Sequence, residues 1–167
     1  MVSKQSSGQE KTKNLQAILF AESFNNRFKP MSCDRPKCLF PLANIPLLLY
    51  SLEFLARNNV SQVILVSTKD NSVFKQVRET HKAAHSNAAN RIQITFFKID
   101  KAHSVAAALR EINDSPSLVK LKENFIIMHG DTVTNASLAE AVKMHLDGKK
   151  KDKGDDGSSV CMTKIFA

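Results

Sequence analysis

The sequence predicts an α/β fold in which a mostly parallel sheet is covered by helices on both faces. Short apolar runs rich in β-branched and aromatic residues, typical of buried strands, alternate with stretches whose apolar residues recur at helical spacing. Strands that alternate with helices in this rhythm pair in parallel through right-handed crossovers. The 167 residues and the 43% hydrophobic content are enough for one domain with a buried core.

The first strand is predicted over residues 15–21, LQAILFA, and leads into a long proline-rich loop over residues 22–46. Each proline fixes φ and removes a backbone donor, so we expect neither a regular helix nor a central strand in this loop. The loop also carries large apolar side chains, and we expect it to pack down in one ordered conformation. These side chains are Phe24, Phe28, Met31, Leu39, Phe40, Leu42 and Ile45.

The later elements follow in the same alternation. A helix is predicted over residues 47–57, with Pro46 in its first turn and Asn58-Asn59 at its end. Further strands are predicted over residues 62–67, 91–99 and 125–128, and further helices over residues 73–84, 102–112 and 136–146. Residues 160–167 are typical of a fifth strand, after which such a domain should continue, so we expect a truncated fold.

Two segments are too polar to join a core. Residues 1–13 are predicted to be a disordered tail, which leaves residues 14–167 as the first part of a domain. Residues 147–159, DGKKKDKGDDGSS, cannot bury enough apolar area to offset their ordering entropy. We expect them to form a flexible insertion loop.

Composition excludes several classes of function. The three cysteines form no C-x-x-C pair, so neither a disulfide framework nor a zinc site is indicated, and we expect reduced thiols and a cytoplasmic location. Residues 1–13 lack the apolar core of a leader peptide and no apolar stretch is long enough for a membrane span, so we expect neither feature. The net charge of +8 permits an anionic partner, but no aromatic RNA-binding motif accompanies it, so we do not expect nucleic acid as a partner.

Two loops are candidates for chemistry. Ligands of open parallel sheets bind beyond the carboxyl ends of the strands. The loops at these ends are residues 22–46, after the first predicted strand, and His129-Gly130-Asp131, after the strand over residues 125–128. An aspartate at that place is a common Mg²⁺ ligand in nucleotide enzymes. Alternatively, Gly130-Asp131 only turns the chain, with Asp131 capping the next helix. His81 and His85 have a spacing that could hold a metal, but no third ligand is evident and a solvated helix face is the simpler interpretation.

The proline-rich loop resembles the signature of the sugar-phosphate nucleotidyltransferases, G-G-x-G-T-R-L-x-P-L-T-x-x-x-P-K-P-x-x-P-x-x-N-x-P. The matching residues are Arg27, Pro30, Pro36, Lys37, Pro41, Asn44 and Pro46, and Gly130-Asp131 falls on the metal-binding Gly-Asp of that family. The family glycines, however, fall on Glu22, Ser23 and Asn25, and its threonine on Asn26. The base-reading element G-T-A-G-A-L appears as SVAAAL, beginning at Ser104. The resemblance implies a Rossmann-like nucleotidyltransferase fold.

These departures predict a vestigial nucleotide site. A phosphate cradle needs inward backbone N–H groups without an intruding Cβ, which is why glycine is used. A Glu22 carboxylate at about 4 Å from a phosphate would cost about 4 kcal/mol at an effective dielectric near 20. We therefore expect no catalytic residue and no resident metal, with Asp131 as the Mg²⁺ ligand only if the site is active. The vestigial phosphate and base site would comprise Glu22, Ser23, Asn25, Arg27, Lys37 and Ser104.

A second resemblance is more specific. The strings AESFNNRFKP and PLAN are similar to those of the epsilon-subunit family of eukaryotic translation initiation factor 2B. This resemblance implies a non-enzymatic assembly domain that contacts the other subunits, especially gamma, and that meets the initiator-tRNA-delivering GTPase through the full-length protein. The guanine-nucleotide exchange domain would lie elsewhere, and no cofactor would be needed. Phe24 and Phe28 are candidate interface anchors. The alternative is an active or nucleotide-sensing transferase that uses NTP and Mg²⁺.

Overall fold

The computed structural model describes residues 15–21, 27–84, 92–100, 104–116, 119–151 and 162–163. The chain divides into two compact units, Met1–Val133 and Thr134–Ala167. The strands are β1 (Leu15–Phe20), β2 (Pro41–Leu42), β3 (Ile45–Pro46), β4 (Val60–Ser67), β5 (Gln93–Lys98) and β6 (Phe125–His129). The helices are α1 (Met31–Asp34), α2 (Leu47–Arg57), α3 (Lys75–Ala84), α4 (Val105–Asn113) and α5 (Ala139–Lys151), with 3₁₀ turns over Lys37–Leu39 and Asn71–Phe74.

The central sheet of the first unit has four parallel strands in the order β5-β4-β1-β6. Its two inner strands are β1 and β4, whose near-continuous apolar residues are buried on both faces. Burial on both faces is the usual state of parallel strands, because crossover helices cover each side. The predicted parallel sheet is confirmed.

Helices cover both faces of this sheet. On one face, Ile18 and Phe20 of β1 pack in a cluster with Ala108 and Ile112 of α4. The alternate residues of β1 point to the opposite face, which α2 and α3 cover. The ring of Phe74, just before α3, lies 6.2 Å from that of Phe96 on this second face. The predicted two-sided covering is therefore confirmed.

Most element bounds agree with the sequence, and α2 begins and ends as predicted. Pro46 precedes its first residue, and the chain leaves the helix through Asn59 at φ 59°. The Asn58 side-chain amide donates to the Phe54 carbonyl at 2.9 Å, which satisfies a carbonyl at the helix end.

The proline-rich loop contains more regular structure than we expected. Pro30 precedes the four-residue helix α1, and extended backbone at Arg35, next to Pro36, ends it. The strands β2 and β3 form a small antiparallel hairpin. Its turn uses positive φ at both Ala43 (50°) and Asn44 (63°), the combination that matches the twist of a hairpin.

Two predicted segments near the end of the sequence are described only in part. Helix α5 continues to Lys151, so the described part of the flexible loop predicted over residues 147–159 is helical. Residues 1–13 and 152–159 lie outside the described residues. The same holds for the strand predicted over residues 160–167, apart from Met162 and Thr163, which belong to no helix or strand.

His81 departs from the expected solvated helix face, because only 3% of it is exposed. It follows Val77 by one helical turn, on the buried side of α3. His85 lies outside the described residues. Among the helices that the structure describes, none is long and apolar enough to cross a membrane.

Candidate functional site

The carboxyl ends of β1 and β6 meet at Gly130. The Gly130 amide donates to the Phe20 carbonyl at 2.7 Å, which continues the strand pairing past the end of β6. A Cβ at this position would lie 3.0 Å from Leu48 Cδ1 and 3.2 Å from both Cys38 Cβ and the Phe20 carbonyl oxygen. These contacts are tighter than almost all real Cβ contacts, so a side chain at this position would require its neighbours to shift by a few tenths of an ångström.

Asp131 directly follows this close approach and pairs with Lys37 of the proline-rich loop. Lys37 Nζ lies 2.7 Å from Asp131 Oδ2, and the two side chains are 23% and 19% exposed. The same ammonium group lies 4.4 Å from the centre of the Phe28 ring, within the range of a cation–π interaction. One lysine thus joins the loop after β1 to the loop after β6.

Of the two interpretations of Gly130-Asp131, the simpler one is half right. The chain does turn here, with the Thr132 amide donating to the His129 carbonyl at 3.2 Å. Asp131 does not cap the next helix, because α5 begins only at Ala139 and the aspartate carboxylate faces Lys37.

Polar contacts from neighbouring elements hold the proline-rich loop. Lys69 Nζ donates to the Cys33 carbonyl at 3.2 Å, and the Tyr50 hydroxyl donates to the Leu42 carbonyl at 3.0 Å. On the other loop, the fully buried Ser51 donates its hydroxyl to the Thr132 carbonyl at 2.8 Å. These hydrogen bonds were not predicted from the sequence. A serine on the apolar face of α2 was nevertheless a signal that this side chain would bond to a neighbouring loop.

The predicted site residues are only partly described. Glu22, Ser23, Phe24, Asn25 and Asn26 lie outside the described residues. Arg27 and Phe28 are exposed, the latter by 40%. Ser104 caps α4, because its hydroxyl accepts from the Ala107 amide at 3.2 Å. Of the predicted set, the structure brings Lys37, Asp131 and Phe28 together.

A second ion pair lies at the same edge of the sheet. Lys98, at the end of β5, donates to Asp70 Oδ1 at 2.7 Å, and both side chains are exposed. The hydrogen bond from Lys98, and then its charge, lowers the pKa of Asp70 below its ordinary value. The same contacts raise the pKa of Lys98. Within the described ranges, no group of three or more His, Cys, Asp and Glu side chains is placed to hold a metal ion.

Comparison with known proteins decides the family. The family model for nucleotidyl transferases matches residues 16–163, which include the whole proline-rich loop and Gly130-Asp131. The chain belongs to the nucleotidyl transferase family.

The chain is similar to relatives of two kinds, translation initiation factor subunits and a sugar-phosphate guanyltransferase. The chain is 37% identical over 146 residues to translation initiation factor eIF2B subunit epsilon of Schizosaccharomyces pombe, and 31% identical over 141 residues to that of Dictyostelium discoideum. These alignments cover 86% and 84% of this chain, but it spans only about a fifth of those proteins, 21% and 19%. The resemblance to epsilon subunits is confirmed. Mannose-1-phosphate guanyltransferase beta-B of Xenopus laevis is 27% identical over 154 residues, 90% of this chain and 38% of that protein.

Solved structures agree on the fold. A UDP-glucose pyrophosphorylase complexed with UDP-glucose superposes with a TM-score of 0.61 at 14% identity, over 81% of this chain and 54% of that one. HddC from Yersinia pseudotuberculosis gives 0.60 at 19% identity, over 80% and 55% of the two chains. At these identities the likeness establishes the Rossmann-like nucleotidyltransferase fold alone.

Proposed function

We propose that this chain is a non-catalytic assembly domain of a translation initiation guanine-nucleotide exchange factor subunit. The similarity to two epsilon subunits over most of the chain supports this assignment. In the proposal, the exchange reaction belongs to a part of the protein outside this sequence.

The ion pair of Lys37 with Asp131 is the observation that carries the non-catalytic part of the proposal. These residues occupy the positions at which the family resemblance implies a phosphate contact and a metal ligand. At 2.7 Å, each charge is largely neutralised by the other. A Mg²⁺ ion on Asp131 and a phosphate on Lys37 would both have to compete with this contact.

The sequence of the preceding loop supports the same conclusion. Where the family places glycines, this chain has Glu22, Ser23 and Asn25. A phosphate cradle uses glycine because any side chain would occupy the space in which backbone N–H groups approach a triphosphate, and a glutamate adds a charge that phosphate repels. The vestigial site that we propose therefore comprises these three residues with Arg27, Lys37 and Ser104, and it needs no cofactor.

The proposed partners are the other subunits of the exchange factor, the gamma subunit in particular. The initiator-tRNA-delivering GTPase would be reached only through the full-length protein. The proposed location is the cytoplasm, where translation factors act.

Co-expression tests the assembly role. The chain is produced with the other subunits of the factor and purified through an affinity tag on the chain. We expect it to retain at least one subunit through gel filtration in a defined ratio. If the chain elutes alone under conditions in which the other subunits still associate with each other, the assembly role is wrong.

A second candidate function is an active or nucleotide-sensing sugar-phosphate nucleotidyltransferase. Two observations favour it: the similarity to a mannose-1-phosphate guanyltransferase, and the retention of Lys37 and Asp131 side by side. In this case the ion pair would be the ligand-free state, and NTP with Mg²⁺ would separate the two residues. A product assay with GTP, Mg²⁺ and mannose 1-phosphate distinguishes the two functions.

A further inference from the structure

We propose that four exposed apolar side chains of the proline-rich loop form the surface on which another protein subunit docks. These four, called the loop patch below, are Phe28, Met31, Leu42 and Ile45. The partner surface would have an apolar centre and a rim of carboxylates. This inference rests on the proposed assembly role and names the surface that would carry it.

The loop patch concentrates exposed apolar area in a short stretch of chain. Its members are 40%, 67%, 46% and 43% exposed, in chain order. They are four of the nine large apolar side chains that are exposed among the described residues. Isolated exposed apolar residues are normal on a protein surface, whereas a cluster of them marks an interaction site.

Contacts within the loop join the members of the patch in two pairs, and Phe40 links the two along the chain. The Phe28 and Phe40 rings meet edge to face with their centres 6.3 Å apart, and Phe40 leads directly into the β2–β3 hairpin. Leu42 and Ile45 are paired across that hairpin, so their side chains lie on the same side of it. Met31 begins α1 next to Phe28, whose carbonyl accepts from the Ser32 amide at 3.0 Å.

The patch is held in place before any partner arrives. The Tyr50 hydroxyl binds the Leu42 carbonyl, the Leu47 amide binds the Phe40 carbonyl at 3.1 Å, and Lys37 lies over the Phe28 ring. A surface that is fixed in this way loses little conformational entropy on binding, which favours affinity.

The basic residues around the patch indicate the charge that a partner surface should carry. Residues 27–46 contain four basic residues and one acidic residue, and Lys29 and Arg35 are exposed in the same stretch of chain as the apolar side chains. A second copy of this chain would bring the same cations face to face, which disfavours self-association through the patch. An apolar surface edged by aspartate and glutamate matches both the apolar centre and the charge.

Glutamate substitutions in the patch, compared with one at an exposed methionine outside it, test the proposal. Met31→Glu and Leu42→Glu each place a carboxylate in the patch, whereas Met144→Glu changes a methionine that is equally exposed, by 69%, outside it. The proposal predicts that each patch variant weakens capture of the co-expressed subunits by about tenfold or more, and that the control changes it less than about twofold. Thermal unfolding of each variant checks that the fold is retained.

The outcomes separate this inference from the proposed function. If the unmodified chain captures a subunit and the patch variants capture it equally well, the docking surface is wrong while the assembly role stands. If the unmodified chain captures no subunit, the assembly role itself fails, and the patch proposal fails with it.

A photo-crosslinker at position 42, with position 80 on the exposed side of α3 as control, identifies what covers the patch. The proposal predicts a crosslink from position 42, and none from position 80, to a co-expressed subunit at a peptide containing Asp or Glu. Crosslinks only to a second copy of the chain, or only within the chain, would each overturn it.

Discussion

Lys37 and Asp131 lie far apart in the sequence, yet their charged groups are 2.7 Å apart in the structure, with about four-fifths of each side chain shielded from solvent. The pair connects the two loops at which the family would hold a nucleotide, so it is both a structural tie and the reason for proposing a vestigial site.

The ion pair of Lys37 with Asp131 should contribute a measurable coupling free energy to the stability of the fold. Asp131→Asn leaves the Lys37 charge without its partner, and Lys37→Met does the reverse. We expect a double-mutant cycle, measured by urea unfolding, to give a coupling free energy of about 1 kcal/mol. Additive effects of the two substitutions would show that the pair contributes nothing. The exposed pair of Asp70 with Lys98 serves as the control and should couple less.

A methyl group at Gly130 should destabilise the fold. In Gly130→Ala the new Cβ would lie 3.2 Å from a backbone oxygen, which cannot move as readily as the end of the Leu48 side chain. We expect a loss of about 1–2 kcal/mol of stability in urea unfolding. Gly148→Ala, within α5, should instead stabilise that helix by about 0.5–1 kcal/mol. Equal effects at both glycines would contradict the close approach.

Gln16 fixes the segment that precedes β6. Its amide nitrogen donates to the Lys120 carbonyl at 3.1 Å and its amide oxygen accepts from the Lys122 amide at 2.9 Å, while only 3% of the residue is exposed. Gln16→Leu removes both bonds, and we expect it to cost about 1–3 kcal/mol. The exposed Gln93, which lies in the same row across the sheet through Gln62, is the control. A Gln93→Leu effect of similar size would refute a specific role for Gln16.

The exposed pair of Asp70 with Lys98 should stabilise the fold only at intermediate pH. Because the pKa of Asp70 is lowered in the fold, its contribution is present above its ordinary pKa and is lost as the pH falls through the lowered value. Because the pKa of Lys98 is raised, its contribution is present below its ordinary pKa and is lost as the pH rises through the raised value.

Urea unfolding of Asp70→Asn checks the sign on the acid side. The variant should be less stable than the unmodified chain at pH 7, and the difference should vanish once the pH falls below the lowered pKa of Asp70 and should shrink in about 1 M salt. A difference that is unchanged at acid pH would mean that the substitution acts through something other than the carboxylate charge.

Much of the fold could be predicted from the sequence, because its signals are local. An apolar run such as LQAILF indicates a buried strand without any knowledge of the neighbouring strands. In the same way, Pro46 and Asn58-Asn59 mark the two ends of α2. The order β5-β4-β1-β6 is not local, since it depends on which apolar faces meet after the chain has crossed over.

In the proline-rich loop, the prolines predicted an irregular backbone. They did not predict that the short helix α1 and the β2–β3 hairpin would form between them. Met31 and Leu42 were expected to pack down, and they are exposed because the hairpin and α1 turn them outward. For the site, the family pattern indicated Lys37 and Asp131 separately, whereas their direct pairing follows from the close approach at Gly130, which only the fold reveals.

Calorimetric titration of the chain with GTP and with ATP, in the presence of Mg²⁺, tests most directly the claim that the nucleotide site is vestigial. We expect no heat of specific binding, with Lys37→Ala giving the same flat trace as the unmodified chain. Saturable binding of either nucleotide that Lys37→Ala abolishes would contradict the claim and favour a functioning nucleotide site.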